Sequence, residues 1–326
     1  YLVYYKTVFA LDHGERKATW ARLTDTDIVG AQAVPGGLLI GEQSGRVSLL
    51  DARTGETVWS KSVGRTAQAI SFNAQTAMGS AGAAKAADGS TTDALAAVAQ
   101  SLDVRLAPAQ ALAVDLLGGL SDEAVAGHLI TLCENRRLPK GVRAQACKSL
   151  AERATGTDEI IFALTRHASF LEGSTAPPAG ALGLAAAKAK LKDALPLLIA
   201  HLKDPHTPSD ELPALMMALA QFKDRSAAAP IRDFVRMYHA DDWEADLVKA
   251  LVLGVDAMRA LLGPAARDAL EEFAANPLGM SEVRNEATKE LAKLDTKSAA
   301  TPSKNEGTAA DNAEPSQGAP APSQTR

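Results

Sequence analysis

The chain has 326 residues, of which 46% are hydrophobic and only 4% aromatic, and its 39 acidic against 34 basic side chains leave a formal charge of −5. The length suits two domains, the scarcity of aromatics implies cores built from Ala, Leu and Val, and the acidic balance gives no broad cationic field for phosphate backbones, which argues against nucleic acid as the main partner. No run of about 18 apolar residues occurs, so no segment reads as a membrane-spanning helix.

The chain opens at Tyr1 inside a strand-like pattern, with no Met, signal peptide or lipoprotein cysteine before it, which predicts a segment of a longer precursor. Any membrane contact would then depend on an anchor in the preceding part. Residues 1–73 alternate in the β manner and contain a repeat: Ala10-Leu11-Asp12 is followed by Lys17 and Trp20, and Leu49-Leu50-Asp51 by Gly55, Glu56 and Trp59. Asp precedes Trp by eight residues in both copies, which lie 39 residues apart. A period near 40 with several short strands per unit is the pattern of a propeller blade. Around the second copy, residues 37–41, 46–50 and 57–60 read as strands separated by turns at Ser44-Gly45 and Thr54-Gly55.

These residues resemble the PQQ-like β-propeller repeat, Ala-x-Asp-x-x-x-Gly-Lys-x-x-Trp, in which the Trp docks between neighbouring blades. The second copy carries Leu49 for the Ala and Glu56 for the Lys, and the first carries Arg16 for the Gly. The resemblance implies a partial propeller of about two blades with structural docking roles for Asp12, Trp20, Asp51, Gly55 and Trp59. It does not bring a quinone with it, because a quinoprotein dehydrogenase encloses its cofactor, metal and catalytic carboxylate in a complete propeller, so no cofactor is expected. Cofactor-free propellers of this kind serve as interaction platforms in the bacterial envelope, which points to the periplasm or cell envelope, with the cytoplasm as the alternative.

Residues 74–90 are rich in Gly, Ser and Ala without apolar periodicity and predict a flexible linker that leaves the two domains loosely coupled. From Thr91 to residue 295 apolar residues recur at helical spacing, giving about twelve helices, with stops at Gly156, Gly173, Pro205, Gly263 and Pro277. Ser121-Asp122-Glu123, Thr157-Asp158-Glu159 and Ser209-Asp210-Glu211 read as helix starts, each a hydroxyl cap followed by acids at the positive end of the dipole. Helix pairs begin near residues 107, 141, 178, 210, 243 and 281, a solenoid interval. Val142-Arg143-x-x-Ala146-x-x-x-Leu150 recurs as Val283-Arg284-x-x-Ala287-x-x-x-Leu291, and Leu195-Pro196-Leu197-Leu198-Ile199 leads to Leu202-Lys203-Asp204-Pro205. These stretches resemble HEAT-like repeats of the type found in phycobilisome bilin lyases, which implies an α-solenoid whose neighbouring hairpins cover one another's apolar faces and leave a curved groove. The fold class is therefore mixed, β then α.

Four groups stand out as binding candidates. Arg136, Arg137, Lys140 and Arg143 form the densest basic cluster, suited to an acidic peptide or a phosphate, although such a run also serves as a solvated turn. His167, His201 and His239 recur in three successive second helices of the predicted pairs, each toward the C-terminal half, where a histidine is favoured by the helix dipole; packed helices lie about 8–10 Å apart, so any ladder is pairwise. Trp243, after Asp241-Asp242, reads as a core-filling indole behind a cap or, alternatively, as a partner anchor. Cys133 and Cys147 lack a CxxC or His partner, so no metal is expected, and they read as independent buried thiols, a disulfide requiring Cα atoms within about 7 Å. No phosphate loop, Ser-His-Asp arrangement or HExxH occurs. Residues 296–326 have a composition that predicts disorder.

The resulting expectation is a non-enzymatic scaffold that holds a protein or peptide partner in the solenoid groove. A fragment of a quinoprotein-type oxidoreductase with a solenoid docking module is the alternative, and a lyase-like activity borrowed from the helical repeat is a third.

Overall fold

The computed structural model describes residues 1–14, 17–64, 66–72, 91–167 and 174–299. The predicted linker at 74–90, the helix stop at Gly173, the departure at Arg16 and the predicted tail from residue 300 onward lie outside the described residues. The tail boundary itself shifts, because helix runs on through residues 296–299.

Strands β1 (Leu2–Tyr4), β2 (Thr7–Leu11) and β3 (Ala18–Leu23) form one antiparallel sheet in that order. Strands β4 (Ile28–Val34), β5 (Gly37–Glu42), β6 (Arg46–Asp51) and β7 (Thr57–Ser62) form a second. The central strand β5 is buried along its whole length, which explains why Leu38-Leu39-Ile40 is a continuous apolar run rather than an alternation. Leu38, Ile40 and Leu50 of the second sheet share a core with Val8, Ala10 and Trp20 of the first, so the two sheets bury part of their apolar surface against each other.

Twelve α-helices follow among the described residues: α1 (Thr91–Ala99), α2 (Ala107–Gly119), α3 (Val125–Glu134), α4 (Lys140–Ala151), α5 (Thr157–Leu164), α6 (Ala179–Ala189), α7 (Ala194–Lys203), α8 (Leu212–Gln221), α9 (Ala228–Tyr238), α10 (Ala245–Leu262), α11 (Arg267–Ala275) and α12 (Ser281–Ala299). Each odd-numbered helix packs on the even-numbered helix that follows it. The even helices also pack on one another in chain order, from α2 through α4, α6, α8 and α10 to α12, and the odd helices from α1 to α9 make the parallel but looser series. The tightest pair is α6 with α8, and its cause is side-chain size. Cβ atoms added at Gly180 and Gly183 would lie 2.7 Å from Ala214 and 2.9 Å from Ala218, so only glycine lets the two helices approach this closely. In both Val-Arg-Ala-Leu helices, α4 and α12, the Val and Ala positions are buried, and the close antiparallel neighbour is the preceding helix, so the tight hairpins are one helix out of phase with the predicted units.

The helix starts differ from the hydroxyl-cap reading. Asp122, not Ser121, accepts an N–H before α3, from Ala124 at 3.0 Å. Gly156, left-handed at φ 76°, precedes α5 without a side-chain cap, and Ser209–Glu211 is a 3-10 turn whose Glu211 reaches across to Gly180. The β and α parts are also joined more closely than a loose linker implies. Phe9, Ala18 and Ala21 belong to the same apolar core as Leu95 and Ala96 of α1, and Arg105 donates to both Asp27 carboxylate oxygens, at 2.7 and 3.2 Å. Cys133 and Cys147 are not independent thiols. The antiparallel approach of α3 and α4 brings their Cα atoms to 5.3 Å and the two are joined as a disulfide.

Candidate functional site

A cavity of about 520 Å³ opens on the layer of even helices. The C-terminal end of α2 supplies Asp115 and the backbone of Gly118–Leu120, α4 and its exit supply Gln145, Lys148, Ser149, Glu152 and Arg153, and α6 supplies Lys188. This chemistry follows from helix ends. Backbone carbonyls just past the ends of α2 and α4 point at cations: Arg153 donates to Leu120 O at 2.9 Å and to Asp122 O, in the α2–α3 connection, at 2.7 Å, and Lys188 donates to Glu152 O.

Arg153 is 6% exposed, burial pushes its guanidinium pKa down, and its Nε has no partner among the described residues. Its other donors clamp the α2–α3 and α4–α5 connections together through Leu120, Asp122 and Thr155. Gln145 donates to Asp115 across the floor, linking α4 to α2. The wall thus carries both donors and acceptors, contributed by α2, α4 and α6. Ser149 has no hydrogen-bonded base, and no group of three metal-ligating side chains occurs among the described residues. Arg153 and Lys188 escaped the sequence reading because a lone basic residue after an apolar helix carries no signal until the neighbouring helix end is in place.

The predicted basic cluster lies elsewhere, at the α3–α4 turn. Arg136 and Arg137 precede Lys140, the first residue of α4, and Arg143 follows one turn later. None of the four has an ion-pair partner among the described residues, whereas Arg46, Arg105, Arg166, Arg236, Arg259 and Arg267 are all paired with carboxylates. Arg136 and Arg143 line a smaller cavity of about 90 Å³ together with Cys133 and Glu211, and the Arg143 Nε is buried without a partner. Glu211, half-buried and accepting from the Gly180 N–H at 2.8 Å, has its pKa raised to about 7 because the partial burial opposes its charge.

The structure brings together two of the three histidines. The His167 and His201 rings stack with centroids 4.3 Å apart and planes 22° from parallel. His201 is 1% exposed, donates through Nε2 to Leu164 O at 2.8 Å, and burial pushes its pKa down. His167 is 2.8 Å from Asp204, which also engages His206. His239 stands apart, its Nδ1 donating to Arg236 O and its Nε2 accepting from Asn276.

In the β part the docking residues divide. Trp20 is 3% exposed, donates through Nε1 to Ala52 O at 2.9 Å, and lies over Gly55 of the second sheet, where a Cβ would come within 2.4 Å of the indole. Asp51 holds that turn by accepting from Arg53 N and Thr54 N at 2.8 and 2.9 Å, bonds that also lower its pKa. The strand ends close alike in both copies, Asp12 N donating to Lys17 O and Asp51 N to Glu56 O. Trp59 does not dock in the same way, since its buried Nε1 has no partner among the described residues.

Trp243 is the clearest correction. It is 75% exposed rather than core-filling. No protein-family model matches the chain, and no curated protein is significantly similar to it.

Proposed function

We propose that this protein is a non-catalytic scaffold whose helical part is an α-solenoid of HEAT-like repeats and whose even-numbered helices line a groove that holds a segment of a protein partner. The observation that carries this reading is the position of the 520 Å³ cavity: it spans α2, α4 and α6, successive members of one layer, and its wall mixes hydrogen-bond donors and acceptors without a nucleophile–base pair among the described residues. An extended peptide presents alternating N–H and C=O groups, and such a wall matches them along the stacking direction. Repeat arrays bind in this manner because each unit adds one strip to a continuous surface.

The β part is proposed to be a pair of PQQ-like propeller blades. The docking of Trp20 on the Ala52–Gly55 turn and the matching loops at Asp12 and Asp51 support it. A bacterial envelope setting is proposed on the same resemblance. Photo-crosslinking tests the groove. A photoreactive residue at Gln145 or Lys188, on the even layer, is expected to trap a partner, and one at Phe162, exposed on the odd helix α5, is not. Trapping only from Phe162 would reverse the assignment.

A further inference from the structure

We propose that the cleft beside Trp243 is a second binding site, for a short cationic peptide that carries an aliphatic or proline side chain next to an arginine or lysine. Trp243 lies in the turn between α9 and α10, over a cavity of about 210 Å³ whose apolar walls include Leu212, Phe234, Tyr238 and Leu247. Phe234 and Tyr238 form a tilted ring pair with centroids 4.9 Å apart, so the floor is an aromatic surface rather than a gap between aliphatic chains. An indole exposed to this extent contributes little to folding, yet its neighbours here are an open apolar recess that one or two inserted side chains would fill.

Charge decides what kind of peptide fits. Asp241, Asp242 and Glu244 flank Trp243, and none has an ion-pair partner among the described residues, while Asp204 on the opposite rim is already engaged by His167 and His206. Among the described residues no lysine or arginine lines the cleft. A cation laid over the indole face gains from the ring quadrupole and from the free carboxylates together, and the adjoining aliphatic or proline side chain enters the recess. An anionic peptide or an acidic membrane surface meets repulsion at the same rim. The cleft is separate from the even-layer cavity, so its test stands independently of the groove.

The test uses the full chain and two dye-labelled heptapeptides, Ala-Leu-Pro-Arg-Leu-Pro-Ala and its counterpart with Glu in place of Arg, followed by fluorescence anisotropy. The arginine peptide is expected to bind, with affinity falling as salt rises. Trp243→Ala should weaken it about tenfold or more, and the double variant Asp242→Asn with Glu244→Gln should weaken it and flatten the salt dependence. Because Trp243 is exposed, circular dichroism of its variant should be unchanged. Equal binding of both peptides, unaltered binding by Trp243→Ala, absence of binding at about 1 mM peptide, or partition of the protein into phosphatidylcholine vesicles in place of peptide binding would each overturn the proposal.

Discussion

Glu211 holds its proton in the fold to about pH 7, against 4.5 for an unperturbed glutamate, because burial opposes its charge more than the Gly180 N–H supports it. Between those values the unfolded chain sheds its proton first. This group's stabilisation is therefore complete below pH 4.5, falls as pH rises to 7, and changes no further above that. The loss is on the order of 1–3 kcal/mol after allowing for partial contact with solvent. Glu211→Gln keeps an acceptor for Gly180 and removes the titration. Its melting temperature should exceed that of the unaltered protein by several degrees at pH 8 and converge with it at pH 4.5, and parallel curves would refute the argument. Gly55 offers a steric counterpart. At φ 72° with the Trp20 ring in the place of its missing side chain, it excludes alanine on two grounds. Gly55→Ala should cost about 2 kcal/mol or more and shift Trp20 emission to the red, while Trp20→Phe, which loses the bond to Ala52 and part of the buried ring system, should cost about 2 kcal/mol.

The α3–α4 hairpin shows how an element inherits a property that neither residue states alone. Cys133 and Cys147 are 14 residues apart, and their disulfide closes a loop that contains the whole basic turn. Restricting the unfolded chain over a loop of that size contributes about 3 kcal/mol. A reductant should therefore lower the melting temperature by roughly 6–12 °C, and a Cys147→Ser variant should start from the lower value and ignore the reductant. Identical melting with and without reductant would show that the pairing adds nothing. The helices and strands around this hairpin were legible because apolar spacing reports a buried face directly: Val142, Ala146 and Leu150 are all buried, as their spacing predicts. The cysteine pairing was not legible, since it depends on which helices lie antiparallel at close range. The caps misled for a related reason. Ser and Asp side by side offer two acceptors, and the path of the preceding loop selects Asp122. Trp243 failed as a core prediction because burial of an indole depends on whether a neighbouring helix covers it, which local sequence does not encode.

At the scale of the molecule, the question is whether sheets and helices unfold together. The first sheet places Phe9, fully buried, with Ala18 and Ala21 in one core with α1, and Thr91 at the start of α1 donates to Thr19 O at 3.0 Å. Arg105 pairs with Asp27 and Lys6 approaches Asp103 at 3.8 Å, but these surface pairs are screened and contribute little. The coupling therefore resides in the apolar contact, and Phe9→Ala tests it with an expected loss of about 3–5 kcal/mol. In a Trp243→Phe background tryptophan fluorescence reports the sheets, through Trp20 and Trp59, and the helical dichroism signal reports the array. A shared core predicts that both signals move down together in the variant, because the first helix pair loses its cover as the sheet detaches and each later helix rests on the one before it. A helical transition that stays in place while the fluorescence transition falls would mean that the array stabilises itself from α1 onward and that the sheets are passengers on its first helix. Cooperative loss instead makes the sheet the end cap of the stack, which would account for the apolar face that α1 turns away from α2.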